Sequence, residues 1–362
     1  MIRRAADFDA GTLLLALAIA ACGILTIWGA TEGVPGLTGT HKVQALWIGL
    51  GLIAFAVAAA VDYHIWADIA PALWGAALAL LGLVLVVART IANTRSWFEI
   101  GPVRFQPSEA GKVAVILMLA WFLSRRSGEK LGMAGLLAVG AIIGAPVALI
   151  AMQPDFGTCL TYGPLLLVGV FLGGIRWRTI IVMALAVALL MPVVWGWGLK
   201  PYHKERILTV FQPERDPSGT GYQVRQSRIA IGSGGVFGKG PLAGTQSRLQ
   251  FLPQHHTDFV LAALAEQWGF VGAVTVLGLY LALVLRVFST ARLARDRLGL
   301  YIAMGVGTLL GFQALVNIGM VLGALPTIGV PLPLVSYGGS SALATMTALG
   351  LAANVRTRRF VN

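Results

Sequence analysis

Asp258 is the carboxylate of this sequence with the clearest opportunity for chemistry. It belongs to Pro253-Gln-His-His-Thr-Asp-Phe259, where a long basic segment ends and an apolar run begins. A carboxylate at a lipid–water boundary, beside cationic side chains, can accept a proton from a hydroxyl group. A structural role is equally compatible with this position, because Thr257 or Asp258 can cap the helix that starts here. The sequence leaves both roles open.

Two more ionisable sites lie at the ends of apolar runs. Glu109 and Lys112 are three residues apart, so a helix places both side chains on one face. This pair either pins neighbouring helices together or offers Lys112 to a phosphate group. Asp155 lies in Gln153-Pro-Asp-Phe-Gly-Thr158, between two apolar runs with almost no connection. It is either an ordinary turn and N-cap residue or a further member of the site.

The segment 199–257, which precedes Asp258, is basic and rich in glycine. Its lysines and arginines outnumber its acidic residues by eight to three. The basic residues are Lys200, Lys204, Arg206, Arg215, Arg225, Arg228, Lys239 and Arg248. Such a segment suits an anionic ligand, for example a lipid-linked diphosphate, although a solvated loop against anionic head groups has the same composition. Its Gly232–Gly240 stretch lacks the spacing of a Walker A loop and predicts tight turns whose N–H groups are free to meet an anion.

The histidines nearest to Asp258 do not predict a resident metal. His255 and His256 are consecutive, so regular structure would not bring both side chains to one ion. The sequence contains no helical His-x-x-x-His pair. It therefore predicts no structural metal site and leaves room for a transient divalent cation, Mg²⁺ or Mn²⁺, that bridges Asp258 and a phosphate.

The composition of the chain requires a membrane. Hydrophobic residues make up 57% and charged residues 12% of the sequence, and its mean hydropathy is +0.79. A soluble globule carries about 25% charged residues, so this surface must face lipid. The net charge of +12 comes without a contiguous basic stripe and interleaved aromatic residues, which excludes nucleic acid as a partner. Cys22 and Cys159 lie inside apolar runs and are predicted to be unpaired.

The hydropathy pattern predicts an all-α integral membrane protein with about ten spans. A helix needs about 20 apolar residues to cross the hydrocarbon. The predicted spans are 12–29, 43–61, 69–88, 108–124, 133–152, 156–173, 177–198, 258–288, 299–323 and 336–355. Basic residues in the short connections predict that both termini are cytoplasmic and that 199–257 is one long extracytoplasmic loop between spans seven and eight. Residues 1–362 then form a single transmembrane domain.

The connection between the last two predicted spans, Leu325–Ser341, contains three prolines and several glycines. Such a composition is incompatible with a plain helix. It predicts a re-entrant or cavity-lining segment whose backbone is protected by the rest of the protein. Its hydroxyl groups, including that of Ser336, either hydrogen-bond a sugar or serve packing.

Together, these motifs resemble the SEDS family, the shape, elongation, division and sporulation proteins. The matching blocks follow one another in order and are Arg104-Phe-Gln-Pro-Ser-Glu109 with Lys112, Gln153-Pro-Asp155 with Gly157-Thr158, Ile229-Ala-Ile-Gly-Ser-Gly-Gly235, Gly238-Lys-Gly240, Gly244-Thr-Gln-Ser247, Phe251-Leu-Pro253, His256-Thr-Asp-Phe259 and Gly329-Val-Pro-Leu-Pro-Leu-Val-Ser-Tyr-Gly-Gly339. The Gly244-Thr-Gln-Ser247 block is more similar to the elongation branch of the family than to its division branch. Gln254, His255 and Gln267 depart from the family pattern, whereas Asp258 does not.

The resemblance implies a peptidoglycan glycosyltransferase that polymerises lipid II into glycan strands during cell elongation. It would act at the outer face of the bacterial cytoplasmic membrane, on lipid II and undecaprenyl-diphosphate-linked glycan. The implied partners are a class B penicillin-binding protein, which crosslinks the strand, and other membrane proteins of the elongation complex. A lipid II flippase is the alternative and would use the same cavity. The prominent charges all map to one end of the spans, which favours surface chemistry over transport.

In this interpretation Asp258 is the general base that accepts the proton of the acceptor sugar's 4-hydroxyl. The leaving diphosphate needs cationic stabilisation, for which the candidates are Lys112, Arg206, Arg225, Arg228 and Lys239. Further substrate-binding candidates, taken from the matching blocks, are Glu109, Asp155, Gln246, His256, Thr257 and Ser336.

Overall fold

The chain folds mainly into helices. The computed structural model describes residues 9–88, 94–100, 103–126, 130–174, 201–212, 216 and 219–360, with isolated positions 181, 185, 189, 192 and 196. The first half contains α1 (Ala10–Thr31), α2 (Thr40–Ala60), α3 (Tyr63–Asp68), α4 (Ala70–Val87), β1 (Phe98–Ile100), β2 (Val103–Phe105), α5 (Pro107–Ser124), α6 (Met133–Met152) and α7 (Phe156–Leu172). The second half contains α8 (Pro201–Phe211), α9 (Thr220–Gly234), α10 (Thr245–Arg248), α11 (Val260–Leu293), α12 (Arg297–Val321), α13 (Gly339–Thr357) and a 3-10 turn (Arg358–Phe360).

The helices are those of a multi-pass membrane protein. Among the described residues, seven helices are long and apolar enough to cross a membrane, namely α1, α2, α4, α5, α6, α11 and α12. Helix α7 is apolar but shorter. Helix α13, predicted as the last span, buries polar residues such as Ser340 and Asn354 and packs extensively against α2, so it faces protein more than lipid. The predicted span 177–198 lies almost wholly outside the described residues.

Two features differ from the prediction of helices joined by loops. The connection between α4 and α5 contains an antiparallel hairpin, in which Glu99 of β1 is opposite Arg104 of β2. Their side chains form an ion pair with an Nε–Oε1 distance of 3.3 Å. The segment 199–257, predicted as one long loop, contains α8, α9 and α10. Its helix α9 packs on α11, because Ala230 and its neighbours bury an apolar face there.

A buried carboxylate ties several helix ends together at the end of the bundle opposite Asp258. Asp9 accepts a hydrogen bond from the Thr12 N–H (3.3 Å) and so caps α1. The same carboxylate forms ion pairs with Arg286 of α11 (2.5 Å) and Arg356 of α13 (3.8 Å). The start of α1 and the last parts of α11 and α13 therefore meet, at what we call the Asp9 end. The opposite end is called the Asp258 end.

Helix α11 is broken at Gly269, whose φ of 69° and ψ of −166° are not helical. The stretch 235–240 lies against this break and pairs with it through backbone hydrogen bonds. The Gly240 N–H donates to the Gln267 carbonyl (2.9 Å), and the Phe270 N–H donates to a carbonyl of the same stretch (2.9 Å). The glycine-rich motif is thereby docked onto the helix that follows Asp258.

The glycines at this contact are required by space. A Cβ atom at Gly238 would lie 2.2 Å from the Gln267 carbonyl oxygen, and one at Gly269 would lie 2.3 Å from the Gly238 nitrogen. The N–H groups of Gly238, Lys239 and Gly240 all donate to carbonyls of the protein. The prediction that this stretch offers free N–H groups to an anion is therefore wrong for these three residues, because the carbonyls of Gly234, Glu266 and Gln267 already accept their hydrogen bonds.

Candidate active site

No hydrogen bond within the described part of the chain uses the carboxylate of Asp258. The N-cap of α11 is Phe259, and no side chain makes a capping hydrogen bond there. The structural alternative of a cap from Thr257 or Asp258 is therefore wrong. Among the described residues, the partly buried Asp258 carboxylate has no hydrogen-bond partner. It is available to a ligand.

The backbone around Asp258 is held by α12 and by the Leu325–Ser341 connection. The carbonyls of residues 256–258 each accept one hydrogen bond from these elements, as the predicted protected segment requires. The donors are the Tyr337 N–H (2.9 Å), the Ser336 hydroxyl (2.7 Å) and the Asn317 side-chain amide (2.9 Å). Ser336, predicted as a sugar ligand, thus lies where it supports the turn that carries Asp258.

Asp155 and Asp258 border the same strip of this connection. The Cβ position of Gly329 lies 3.5 Å from Asp258 Oδ2. The Cβ position of Gly157, in the first turn of α7, lies 2.1 Å from the Ile328 carbonyl oxygen. Any side chain at Gly157 would push α7 away, so this glycine brings Asp155 and Asp258 into one region.

The first turns of α5 and α7 form a polar network beside that strip. Asp155 caps α7 by accepting from the Thr158 N–H (3.1 Å), as predicted, and its other oxygen accepts from the Gln106 side chain (2.9 Å). Glu109 and Lys112 are both buried, with an Oε1–Nζ distance of 2.6 Å. The predicted pair is therefore formed, and it lies one helix turn from the residue that holds Asp155.

Burial raises the pKa of the Asp258 carboxyl to about 6. The negative charge of Asp155 adds to this rise, whereas the positive charge of Arg206 opposes it. The pKa of Asp155 is also raised, mainly by burial, against the hydrogen bonds from Thr158 that lower it. A carboxylate whose pKa approaches the working pH is suited to accept a proton and to release it again.

The predicted cationic residues fall into two groups. Arg228 donates to carbonyls at the end of α12 (3.1 and 3.4 Å), and Lys239 pairs with Glu266 at 2.9 Å, so both have structural partners. Arg225 is exposed on α9 and makes no hydrogen bond or ion pair with the described residues. Arg206 acts electrostatically on Asp258. Lys112 likewise has a structural partner in Glu109, so Arg225 is the predicted cation without one among the described residues, and Arg206 is the one whose charge acts on Asp258.

His256 is placed as a neutral hydrogen-bonding group. Burial, and then the neighbouring His255, lower its pKa to about 4. Its Nδ1 atom is buried without a hydrogen-bond partner in the described residues. Thr257 differs, because its hydroxyl donates to the Gln254 side chain at 2.9 Å. A neutral imidazole with an unused nitrogen can meet a sugar hydroxyl, but it contributes no charge toward a phosphate.

Asn317 and Glu266 support the site although the sequence analysis did not single them out. Asn317 bridges the Asp258 carbonyl and the Val330 carbonyl (2.9 and 2.8 Å). Glu266 accepts the Gln246 N–H at 2.9 Å. A polar side chain within an apolar helix is costly unless it has a hydrogen-bond partner. The presence of Asn317 and Glu266 in apolar runs is therefore the sequence signal that could have identified both positions.

The described donor set does not fit a resident metal ion. No group of three or more histidine, cysteine, aspartate or glutamate side chains in the described ranges is placed to hold one. Cys22 and Cys159 are unpaired, as predicted.

Comparisons with known proteins support the family resemblance that the sequence motifs around this site predicted. The profile of the cell cycle protein family that comprises FtsW, RodA and SpoVE matches residues 11–360. The chain belongs to this family. The FtsW/RodA/SpoVE match runs from the second residue of α1 to the end of the 3-10 turn that follows α13.

Relatives within the FtsW/RodA/SpoVE family cover nearly the whole chain. The peptidoglycan glycosyltransferase MrdB of Escherichia coli (strain K12) is 40% identical over 352 residues, which are 97% of this chain and 94% of MrdB. A chain of a solved peptidoglycan synthase complex, whose polymerization and crosslinking are structurally coordinated, has a TM-score of 0.82 and 36% identity, with 98% of this chain and 99% of that chain covered. The rod shape determining protein RodA of Thermus thermophilus has a TM-score of 0.73 and 33% identity, with 98% of each chain covered.

Proposed function

We propose that this chain is a peptidoglycan glycosyltransferase that polymerises lipid II into glycan strands during cell elongation. The observation that carries the proposal is a partly buried carboxylate, Asp258, that no described residue hydrogen-bonds. Membership of the FtsW/RodA/SpoVE family and the similarity to the E. coli glycosyltransferase MrdB support the class of reaction.

Asp258 acts as the general base. It accepts the proton of the acceptor sugar's 4-hydroxyl while the oxygen forms a bond to the anomeric carbon of the donor. The bond between that carbon and the diphosphate oxygen breaks, and undecaprenyl diphosphate leaves with the electron pair. A diphosphate is a good leaving group, so the site needs cationic stabilisation more than a general acid. Lys112, Arg206 and Arg225 supply it.

The remaining substrate contacts are assigned by the same geometry. His256 and Gln246 each have a buried side-chain atom without a partner among the described residues, and both suit the hydroxyl and amide groups of a sugar. Glu109 holds Lys112, and Asp155 tunes Asp258. A chelator tests whether a divalent cation arrives with the diphosphate. If the side chains of Lys112, Arg206 and Arg225 are enough to stabilise the leaving group, the chelator should leave the polymerisation rate unchanged.

The chain spans the bacterial cytoplasmic membrane about ten times, with both termini in the cytoplasm and the Asp258 end outside. The ion pairs of Asp9 with Arg286 and Arg356 support this topology, because they gather the first and last helices at one end. The basic residues of the short connections support the orientation. Lipid II then presents its sugar and diphosphate on the side where Asp258, Lys112 and Arg206 lie.

The partner of this glycosyltransferase is a class B penicillin-binding protein within the elongation complex. The solved peptidoglycan synthase complex supports this assignment, because one of its chains is similar to this protein along nearly its full length. Co-purification of the two membrane proteins in detergent, compared with the same transpeptidase alone, tests the pairing.

Reconstitution in liposomes separates the proposed function from the flippase alternative. Vesicles that contain the chain, its transpeptidase partner and labelled lipid II, but no other polymerase, should yield long glycan strands on a gel. Movement of lipid II between leaflets without strand formation would instead identify a transporter. The charges of the site lie at one end of the bundle, which favours the first outcome.

The polymerisation rate should depend on pH through Asp258. Its pKa of about 6 means that the carboxylate is protonated and inactive as a base below that pH. We expect the rate to fall about tenfold per pH unit below 6 and to be level above it. Arg206→Gln should move this acid limb to higher pH, because the positive charge that opposes the rise is lost. An unmoved limb in that variant would contradict the assignment of the limb to Asp258.

A further inference from the structure

We infer that Glu266 is a positioning residue of this site, which holds Gln246 and the chain that leads into Asp258. The inference rests on the proposed glycosyltransferase function. It assigns a task to a buried carboxylate that the reaction itself does not need.

The Glu266 carboxylate accepts hydrogen bonds from several described residues at once. Its Oε1 accepts from the N–H groups of Thr245 (2.7 Å) and Gln246 (2.9 Å) and from Lys239 Nζ (2.9 Å). Its Oε2 accepts from the N–H and hydroxyl groups of Ser247 (3.1 and 3.0 Å). The side chain is fully buried, and charge-assisted bonds of this kind are among the stronger ones in proteins. One carboxylate therefore fixes three consecutive residues of the 199–257 segment.

The position of this turn is transmitted to the active site. The Gln246 carbonyl accepts from the Leu252 N–H (3.0 Å), and the Leu252 carbonyl is bonded to Nδ1 of His255 (3.0 Å). Leu252 itself is buried against Phe259 in an apolar cluster. A continuous path of hydrogen bonds thus runs from Glu266 to the residues that carry Asp258.

The side chain of Gln246 gives this turn a direct contact with the substrate. Its Oε1 atom is buried and has no hydrogen-bond partner in the described part of the chain. Leaving a buried amide oxygen unpaired is costly, so a ligand donor is expected there. A sugar hydroxyl or an amide N–H of the lipid-linked precursor has the required chemistry.

The Lys239–Glu266 ion pair is not the only contact that docks the neighbouring stretch 235–240. Stretch 235–240 is attached to α11 by backbone bonds, among them Lys239 N–H to the Glu266 carbonyl (3.0 Å) and Gly240 N–H to Gln267 (2.9 Å). These bonds do not involve the Glu266 side chain. A change at the carboxylate should therefore release residues 245–247 while the helix break stays packed.

The test is a double-mutant cycle on the full chain in complex with its transpeptidase partner. Glu266→Gln places an amide nitrogen against donors, so the turn should move and KM for lipid II should rise about tenfold, the loss of one buried hydrogen bond. Gln246→Ala should give a similar rise. The double variant should be no worse than either single one, because both act through the same contact.

Glu266→Asp keeps the charge and should restore a KM between those of the wild type and Glu266→Gln, which covers the case in which the amide variant does not fold. A KM of the Glu266→Gln variant within twofold of the wild-type KM would overturn the inference. So would a double variant whose rise in KM is the product of the rises of Glu266→Gln and Gln246→Ala. Strand synthesis by the wild-type complex is measured in the same assay, so a failure of the proposed function is recognised separately.

Discussion

Asp258→Asn is expected to lower the rate of glycan polymerisation by about 10²–10⁴-fold, the usual contribution of a positioned general base. Asparagine is nearly isosteric with aspartate, but its amide cannot accept the proton of the attacking hydroxyl. The hydrogen bonds that hold the turn are accepted by the backbone carbonyls of residues 256–258 and not by the Asp258 side chain, so they persist in the variant. The measurement is the yield of strands from lipid II over time, with the purified variant and its partner.

Two controls separate lost chemistry from lost structure. Glu205→Gln removes an exposed carboxylate of α8 and should leave the rate unchanged. The raised pKa of Asp258 means that the folded state favours the protonated form, so its ionisation costs stability that is lost between about pH 4 and pH 6 and stays lost above pH 6. At about pH 7.5, where Asp258 is ionised, the melting temperature of Asp258→Asn should therefore equal or exceed that of the wild type. Polymerisation near the wild-type rate would refute the role of Asp258 as the base.

Lys112→Met is expected to destabilise the protein by about 3–5 kcal/mol, because it leaves the buried Glu109 without its partner. The double variant with Glu109→Gln and Lys112→Met removes both charges and should recover most of that loss. Because Lys112 stabilises the leaving diphosphate in the proposed reaction, the recovered protein should still polymerise about tenfold more slowly than the wild type, the loss of one charged contact. Melting curves and rates per folded molecule measure the two effects separately.

The ion pair at the Asp9 end provides the matched control for that experiment. Asp9→Asn combined with Arg286→Met removes an ion pair with a buried carboxylate far from the site, and Arg356 then loses its contact with that carboxylate as well. It should lower stability without changing the rate per folded molecule. A wild-type rate for the neutralised Glu109 and Lys112 pair would mean that this pair only pins α5, which is the structural reading of its spacing.

Most membrane helices could be predicted from the sequence because lipid imposes a strong local pattern. The predicted spans 133–152 and 156–173 agree with α6 and α7 to within one residue at each end. Helix α13 differs from the other spans in composition, since its buried Asn354 donates hydrogen bonds to carbonyls at the end of α2, and its buried Ser340 forms hydrogen bonds with Arg104 and Gln106. The hairpin of β1 and β2 is too short to leave a periodic pattern, so the sequence analysis missed it.

The site was predictable only in part, for a different reason. Glu109 and Lys112 are one helix turn apart, so their pairing follows from local geometry. The approach of Asp155 to Asp258 depends on Gly157 packing on Ile328, which is a contact between distant parts of the chain. The break at Gly269 likewise exists because another segment supplies its hydrogen bonds. Such long-range pairings leave no spacing signal in one sequence.

The break in α11 has a consequence for the height of the active site relative to the lipid. Residues 270–293 alone extend about 36 Å, at about 1.5 Å per residue, which exceeds the roughly 30 Å of a hydrocarbon core. The turns between Asp258 and the break are therefore not needed to cross the bilayer. They form a helical segment of about nine residues, roughly 13 Å long, between the break and the general base Asp258. In the proposed function, these turns place the carboxylate at the level of the head groups, where the polyprenyl chain of lipid II ends and its diphosphate and sugars begin.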